Sequence, residues 1–323
     1  MAVLGIESSA HTFGVGIIEN GKIIANRKRM YKIGKTGMIP VKVAEFHSKN
    51  ARSVIESAIA EAGISIADIE AIGYTKGPGL GPCLRVGQLS AKTLAVSIGV
   101  PLFPVNHGLG HIEVTRQAFH MHDPIALYVS GGNSQILALD EQPFRHYKVY
   151  GETLDIGVGN MLDNFARAAG LNPAWGSTVA KVALGGSYIQ MPYTVKGMDF
   201  AFAGILTHAT KALSYTGVSD VAYSLQETSF AMLCEAVERA IMLTGKKELL
   251  TCGGVAQSAR LKEMLSLMAM EHAVRFVAAP DELNADNGAM IALVAEKMLY
   301  SGARPEAPII NQRSRPDSAV VTW

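Results

Sequence analysis

Cysteine is scarce in this chain. Cys83, Cys234 and Cys252 are the only three among 323 residues, an odd number without a C-x-x-C pair, which excludes a disulfide framework and a thiolate zinc site. A reducing, cytoplasmic setting is expected. No apolar run reaches the roughly 18 residues that span a bilayer. The first basic residue, Lys22, follows the first apolar stretch, where a signal peptide would carry charge before it. The chain therefore reads as soluble and unexported, with no membrane partner. Charged residues make up 18% and hydrophobic ones 49%, which excludes disorder and implies a large core. Basic excess is missing too. Formal net charge is +1, so a nucleic acid would have to be held by a local patch or by partner proteins.

What is present is a repeated pattern. Apolar runs at 2–6, 13–18 and, after Asn20-Gly21, 22–25 predict a three-strand meander, because Asn-Gly tolerates the backbone of a tight hairpin turn. A helical period over 41–62 ends at Gly63; a strand at 71–75, a loop at 77–82, a helix at 85–98 and a strand at 100–105 follow. The second half repeats the order. Strands at 125–129, 135–139 and 146–150 precede a helix at 157–169, and an irregular insertion covers about 171–218. Then come a helix at 220–243, a strand at 249–252, a helix at 259–270, a strand at 274–278 and a last helix at 284–300. Such a unit is too long for a solenoid repeat. It implies an α/β chain of two similar lobes, 1–106 and 107–323, facing one cleft, with the insertion decorating the second.

Each half opens on a hairpin whose turn can aim N–H groups at an anion: Ser8-Ser9-Ala10-His11-Thr12 and Ser130-Gly131-Gly132-Asn133-Ser134. Cys252-Gly253-Gly254-Val255-Ala256 offers bare backbone at a strand end, where a nucleoside could lie. Singly these are ordinary tight turns; their recurrence at matching positions favours a nucleotide site. His107 and His111, spaced i and i+4, share one helical face and can grip one metal ion. Asp286 is the best placed of the second-lobe carboxylates to complete the set, with helix capping as its alternative role. A zinc protease of the H-E-x-x-H type is disfavoured, because position 108 is glycine. His120 and His122 are expected in a loop facing solvent. The 77–82 loop, leading to Arg85, reads as a rigid helix cap or as an anion site. Lys22, Arg27, Lys28, Arg29, Lys32, Lys35 and Lys42 form an all-basic stretch that could touch an RNA backbone or simply face solvent.

Taken together, several segments closely resemble the universal tRNA threonylcarbamoyladenosine transferase family. They are Gly77-Pro78-Gly79-Leu80-Gly81-Pro82, Val105-Asn106-His107-x-x-x-His111-Ile112-Glu113, Tyr128-Val129-Ser130-Gly131-Gly132-Asn133 and Gly151-Glu152-Thr153-Leu154-Asp155, followed by Tyr193-x-Val195-Lys196-Gly197-Met198-Asp199, Gly253-Gly254-Val255-Ala256 and Asp286-Asn287-Gly288-Ala289-Met290-Ile291-Ala292. The likeness runs from Leu4 to Trp323. Ala10-His11-Thr12 and Lys196-Gly197-Met198-Asp199 resemble the archaeal and eukaryotic branch, the catalytic subunit of the KEOPS complex, whose members once carried the label O-sialoglycoprotein endopeptidase.

The resemblance implies an actin/Hsp70-like ATPase (ASKHA) fold and transfer of threonylcarbamoyl from threonylcarbamoyl-AMP to N6 of adenosine 37 in tRNAs reading codons that begin with A. It also implies one divalent metal, Fe(II) favoured and Zn(II) the alternative, on His107, His111 and Asp286, with Tyr128 as a further ligand. Tyr128, Val129, Ser130, Gly131 and Gly132 would hold the donor's phosphate and carbamoyl end, and Asp163 its ribose. Gly176 and the Gly253-Gly254 turn would shape the nucleoside pocket of an adenine nucleotide. The implied partners are the tRNA anticodon loop and KEOPS subunits, among them a small atypical protein kinase/ATPase and a small dimerising subunit.

The chain departs from the family in that pocket. Pro173-Ala174-Trp175-Gly176-Ser177 stands for Pro-Gly-Gly-Pro, Ala180 for a ribose-contacting carboxylate, and Ser258 for Asn. A lost hydroxyl acceptor costs about 1 to 3 kcal/mol of binding. A nucleotide-binding scaffold with impaired catalysis is therefore the second reading, ahead of a plain actin-like kinase or ATPase, with a metalloprotease last.

Overall fold

The computed structural model describes residues 2–32, 38–305 and 307–323. Its first sheet runs in the order β3-β2-β1-β4-β5, built from β1 (Ala2–Glu7), β2 (Thr12–Glu19), β3 (Lys22–Met30), β4 (Ile69–Gly77) and β5 (Leu102–Asn106). β1 pairs antiparallel with β2 and parallel with β4. Asn20 and Gly21 adopt φ of 51° and 74° at the expected hairpin turn. Alternation then sorts the side chains. Leu4, Ile6, Phe13, Val15 and Ile17 enter one core with Val54 and Ala58 of α1 (Pro40–Ala62) and Ala91 and Ala95 of α2 (Gly81–Ile98).

The intervening positions meet α10 (Gly288–Tyr300). Gly5 and Gly16 are cross-strand partners, and a Cβ on Gly16 would stand 2.1 Å from the backbone nitrogen of Ala289. Only bare backbone at this pair lets the helix lie directly on the sheet.

The second sheet has the same plan, β12-β11-β6-β7-β8, from β6 (Ile125–Val129), β7 (Ser134–Asp140), β8 (His146–Glu152), β11 (Glu248–Cys252) and β12 (Arg275–Ala278). β6 is antiparallel to β7 and parallel to β11, as β1 is to β2 and β4. Its core joins Ile125, Leu127 and Ile136 with Phe165 of α4 (Val158–Ala168) and Leu225 and Phe230 of α7 (Val218–Thr244). α8 (Ala259–Glu271) precedes β12, and a short α9 (Asp281–Asn284) follows it.

Several expectations need correction. The segment 171–218 is less regular than the rest, as expected, but it is not an ornament: it forms α5 (Gly176–Val182), a ribbon of β9 (Val195–Lys196) and β10 (Asp199–Phe200), and α6 (Ala203–Ala212). Phe200, Phe202, Ile205 and Ala209 sit inside the second core. β3 extends to Met30, beyond the expected end at 25, because basic side chains on an edge strand leave no apolar alternation to read. The chain forms two compact units, Met1–Ala118 with Asp140–Tyr147 and Ala285–Trp323, and Phe119–Leu139 with Lys148–Asn284. The expected boundary at 106/107 therefore differs: α3 (His107–Ala118) and α10 belong to the first unit. Docking of α10 on the glycine pair decides this, and no local pattern encodes it. Among the described residues, no helix is long and apolar enough to cross a membrane.

Candidate metal centre and nucleotide-binding turns

In the first unit β5 ends at Asn106 and α3 starts at His107 without a linker. Asn106 Oδ1 accepts the N–H of Leu109, tying down the first turn. His107 and His111, one turn apart and both buried, bring their ring centroids to 4.8 Å. The expected last helix is broken at 285–287, and Asn287 is the N-cap of α10, accepting the N–H of Met290 at 3.0 Å. Capping thus falls to Asn287 and leaves the Asp286 carboxylate for the histidines. Asp286 Oδ1 lies 3.4 Å from Nε2 of His111 and 3.6 Å from Nε2 of His107. One ligand atom from each of the three falls within 4.8 Å of the others.

The sequence reading missed Glu7. A carboxylate closing an otherwise apolar strand is the signal that could have found it. It is fully buried; Oε2 accepts from Thr75 Oγ1 at 2.7 Å and faces His107 Nδ1 at 2.9 Å, while Oε1 accepts the N–H of Ser9. Burial disfavours charge on both partners, but their mutual attraction outweighs it. His107 is pushed up to about 9 and Glu7 is held below the usual carboxylate range. Burial likewise works against the Asp286 carboxylate, yet the His111 hydrogen bond and the His107 charge hold it far below its ordinary value. His111 is lowered, chiefly by burial.

Two imidazole nitrogens and one carboxylate oxygen are donors suited to a first-row divalent ion. Glu7 occupying Nδ1 leaves Nε2 of His107 for that ion. Because α3 and α10 both begin here, their positive ends disfavour a cation, which the two carboxylates offset. Lys28 Nζ donates to the Asp286 carbonyl at 3.4 Å.

The first hairpin turn offers an anion less than its sequence suggests. Ser8 and Ser9 are buried, the Ser9 N–H is held by Glu7, and the Ala10 carbonyl lies 2.8 Å from Nε2 of His47. The 77–82 loop behaves as a cap: Gly79 and Leu80 donate to Gln312 and Ser9 carbonyls, α2 starts at Gly81, and Arg85 is exposed. The basic stretch is divided by strand alternation. Arg27 pairs with Glu61 at 2.8 Å and Arg29 with Asn50 at 2.9 Å, both on α1, whereas Lys28 turns to Asp286. Lys35 lies outside the described residues. His120 and His122 are exposed, as expected.

The remaining candidates lie in the second unit, among them Tyr128, fully buried with Val129 at the end of β6. After them the Ser130–Ser134 turn closes on itself, Ser130 donating to the Asn133 carbonyl. Gly131 and Gly132 are exposed. Ser134 Oγ and the Ser130 and Gly131 carbonyls take N–H groups of the first turn of α4, so the hairpin rather than that helix start would meet an anion. Gly253 has φ of 95°, and a Cβ there would come within 2.4 Å of the Val129 carbonyl oxygen; Gly254 beside it has open space. Asp163, raised by burial, accepts the Gly176 N–H at 2.8 Å, which joins two of the expected nucleoside residues. Ala180 is half-buried on α5, and Trp175 at its N-cap is 46% exposed. Ser258 caps α8, accepting from Leu261, a role Asn fills equally well. A surface depression of 540 Å³, lined by residues such as Ile189, Met191, His208 and Tyr215, holds none of these groups. Burial pushes Cys83 up to about 11 and Cys234 up to about 12, so neither is a ready nucleophile.

Two sheets with one shared strand order, each a meander continued by two parallel strands, define the actin/Hsp70-like ATPase fold. Solved structures agree. HypF from Thermococcus kodakarensis superposes with a TM-score of 0.63 over 93% of this chain and 47% of that one, at 16% identity. The activator of 2-hydroxyisocaproyl-CoA dehydratase from Clostridium difficile gives 0.53 over 94% and 97%, at 13% identity. A family model described as "TsaD: tRNA N6-adenosine threonylcarbamoyltransferase" matches residues 20–293. A protein of that enzyme name from Thermococcus sibiricus is 46% identical over the whole of both chains. A "probable bifunctional tRNA threonylcarbamoyladenosine biosynthesis protein" from Thermoplasma acidophilum is 46% identical over all of this chain and 61% of its own length. The chain belongs to the tRNA N6-adenosine threonylcarbamoyltransferase family and is an acyltransferase.

Proposed function

We propose that the chain transfers threonylcarbamoyl from threonylcarbamoyl-AMP to N6 of adenosine 37 in tRNAs that read codons beginning with A. The observation that carries this reading is the group of two buried histidines, His107 and His111, with the part-exposed Asp286, backed by Glu7, in a chain of this family. The exocyclic amine of adenosine attacks the carbamoyl carbonyl, the bond from that carbon to the phosphate oxygen breaks, AMP leaves and N6 loses one proton. A divalent ion on His107, His111 and Asp286, Fe(II) favoured and Zn(II) the alternative, would act as a Lewis acid toward the donor. Glu7 holds the His107 ring so that Nε2 stays directed to that ligand set.

In the second unit the exposed amides of Gly131 and Gly132 would bind the donor's phosphate, beside Tyr128, Val129 and Ser130. The free oxygen of Asp163 would take a ribose hydroxyl, and Gly176 and Gly254 would border the nucleoside. No activated cysteine is required. Position 37 lies in single-stranded RNA, so its base can be presented without breaking a pair. Partner subunits of a KEOPS-type assembly would supply much of the tRNA grip, since net charge is only +1.

The test is a nucleoside mass-spectrometric assay with partners, threonylcarbamoyl-AMP and tRNA. Native chain yields modified adenosine, and the double change His107→Ala with His111→Ala abolishes it. Modification that survives the double change removes the metal-assisted step. A native chain that binds AMP yet modifies nothing supports the scaffold reading, which the Ala180 and Ser258 departures favour.

A further inference from the structure

Seven residues into α3 lies Glu113, a carboxylate with no solvent exposure and no role in the proposed ligand set. Three groups converge on it. Tyr147 donates its hydroxyl to Oε1, Arg116 approaches the same oxygen at 3.2 Å, and Lys297 Nζ stands 2.9 Å from Oε2. Lys297 belongs to α10. The ion pair therefore ties α3, which starts with His107, to α10, which starts two residues after Asp286. Closer to the site the same helices touch at Gly110, where a Cβ would meet the Met290 side chain at 3.1 Å. This contact is apolar and carries no charge or hydrogen bond of its own.

A buried ion pair is a poor source of net stability, because apolar residues of similar volume serve as well or better; its best-attested use is to fix register. We propose that Glu113 and Lys297 are positioning residues that set α3 against α10 and so hold His107 and His111 opposite Asp286. The inference rests on the metal reading above.

Zn(II) alone, titrated into metal-free full-length protein against a chelating dye, tests it. The visible spectrum of the Co(II)-loaded protein reports coordination geometry alongside. Lys297→Met should weaken Zn(II) about 3- to 30-fold and alter the Co(II) bands while far-ultraviolet circular dichroism stays native. Lys297→Arg, which keeps the pair, should restore binding to near the native value. Glu113→Gln combined with Lys297→Met removes both charges and should remain folded but equally weak. Folded Lys297→Met or double variant that binds Zn(II) within twofold of native overturns the proposal. Native protein that binds no more tightly than the His107→Ala, His111→Ala variant brings down the metal reading itself, which separates the two failures.

Discussion

Oε2 of Glu7 and Nδ1 of His107 lie 2.9 Å apart across 100 residues of chain. The contact sets which imidazole nitrogen points at the ligand group, and it makes Glu7 part of the centre without being a ligand. Glu7→Gln keeps the shape but not the charge. Metal affinity should fall about 10- to 100-fold, read by Zn(II) titration of the metal-free protein. An unchanged affinity would show that the ring is oriented by other contacts.

Asp155 governs a different joint. Oδ1 accepts the N–H groups of Ile156 and Phe202 and Oδ2 that of Ala203, so the carboxylate caps α6 from outside. Burial works against its charge, but these backbone bonds outweigh it and lower its pKa below the ordinary 3.8. A lowered acid stabilises above its unfolded pKa and stops doing so as pH falls through the folded one. Asp155→Asn should therefore lower Tm at pH 7, by an amount equivalent to about 0.5 to 1 kcal/mol for this solvent-screened group. The gap from native should close below about pH 3.8. Thermal melts across pH decide it, and a gap that persists in acid would assign the loss to packing.

The two glycines after β11 should separate folding from binding. Gly253→Ala forces a Cβ against the Val129 carbonyl at positive φ and should cost roughly 1 to 3 kcal/mol of stability. Gly254→Ala enters open space. Its Tm should match native while AMP binds more weakly by calorimetry. Equal AMP affinity would take Gly254 out of the nucleoside pocket.

Ala180 offers a gain-of-binding test. Placing a carboxylate there, Ala180→Asp, should tighten AMP by about 1 to 3 kcal/mol, a factor of roughly 5 to 150. Ser258→Asn should leave stability near native, since either residue caps α8. No change in AMP affinity with Ala180→Asp would show that position 180 does not face the ribose.

Much of this architecture was legible in sequence because its signals are local. Asn20-Gly21 turns as its composition requires, Gly63 ends α1 in the left-handed conformation, and the His107 and His111 spacing lands on a helix. The failures were equally physical. Arg27, Lys28 and Arg29 masked the end of β3, since a solvent-facing edge needs no apolar face. The core residues of 171–218 are spread over short elements joined by irregular chain, and only α6, with Ile205, Ala209 and Ala212, is long enough to show a helical period.

Sequence alone determined the duplicated α/β order and the residue types that can bind a metal ion or an anion, because backbone preference and side-chain chemistry are properties of neighbours in the chain. Tertiary structure decided the rest. Glu7, His107 and Asp286 come from three distant segments, and they meet only because β1, the start of α3 and the start of α10 converge in one unit. Bare backbone at Gly5 and Gly16 seats α10 on the first sheet, and a buried carboxylate at Glu113 ties it to α3. Close packing between remote segments leaves no periodic trace in the chain, so which helix joins which unit, and which histidine nitrogen faces the site, could be read only from the folded molecule.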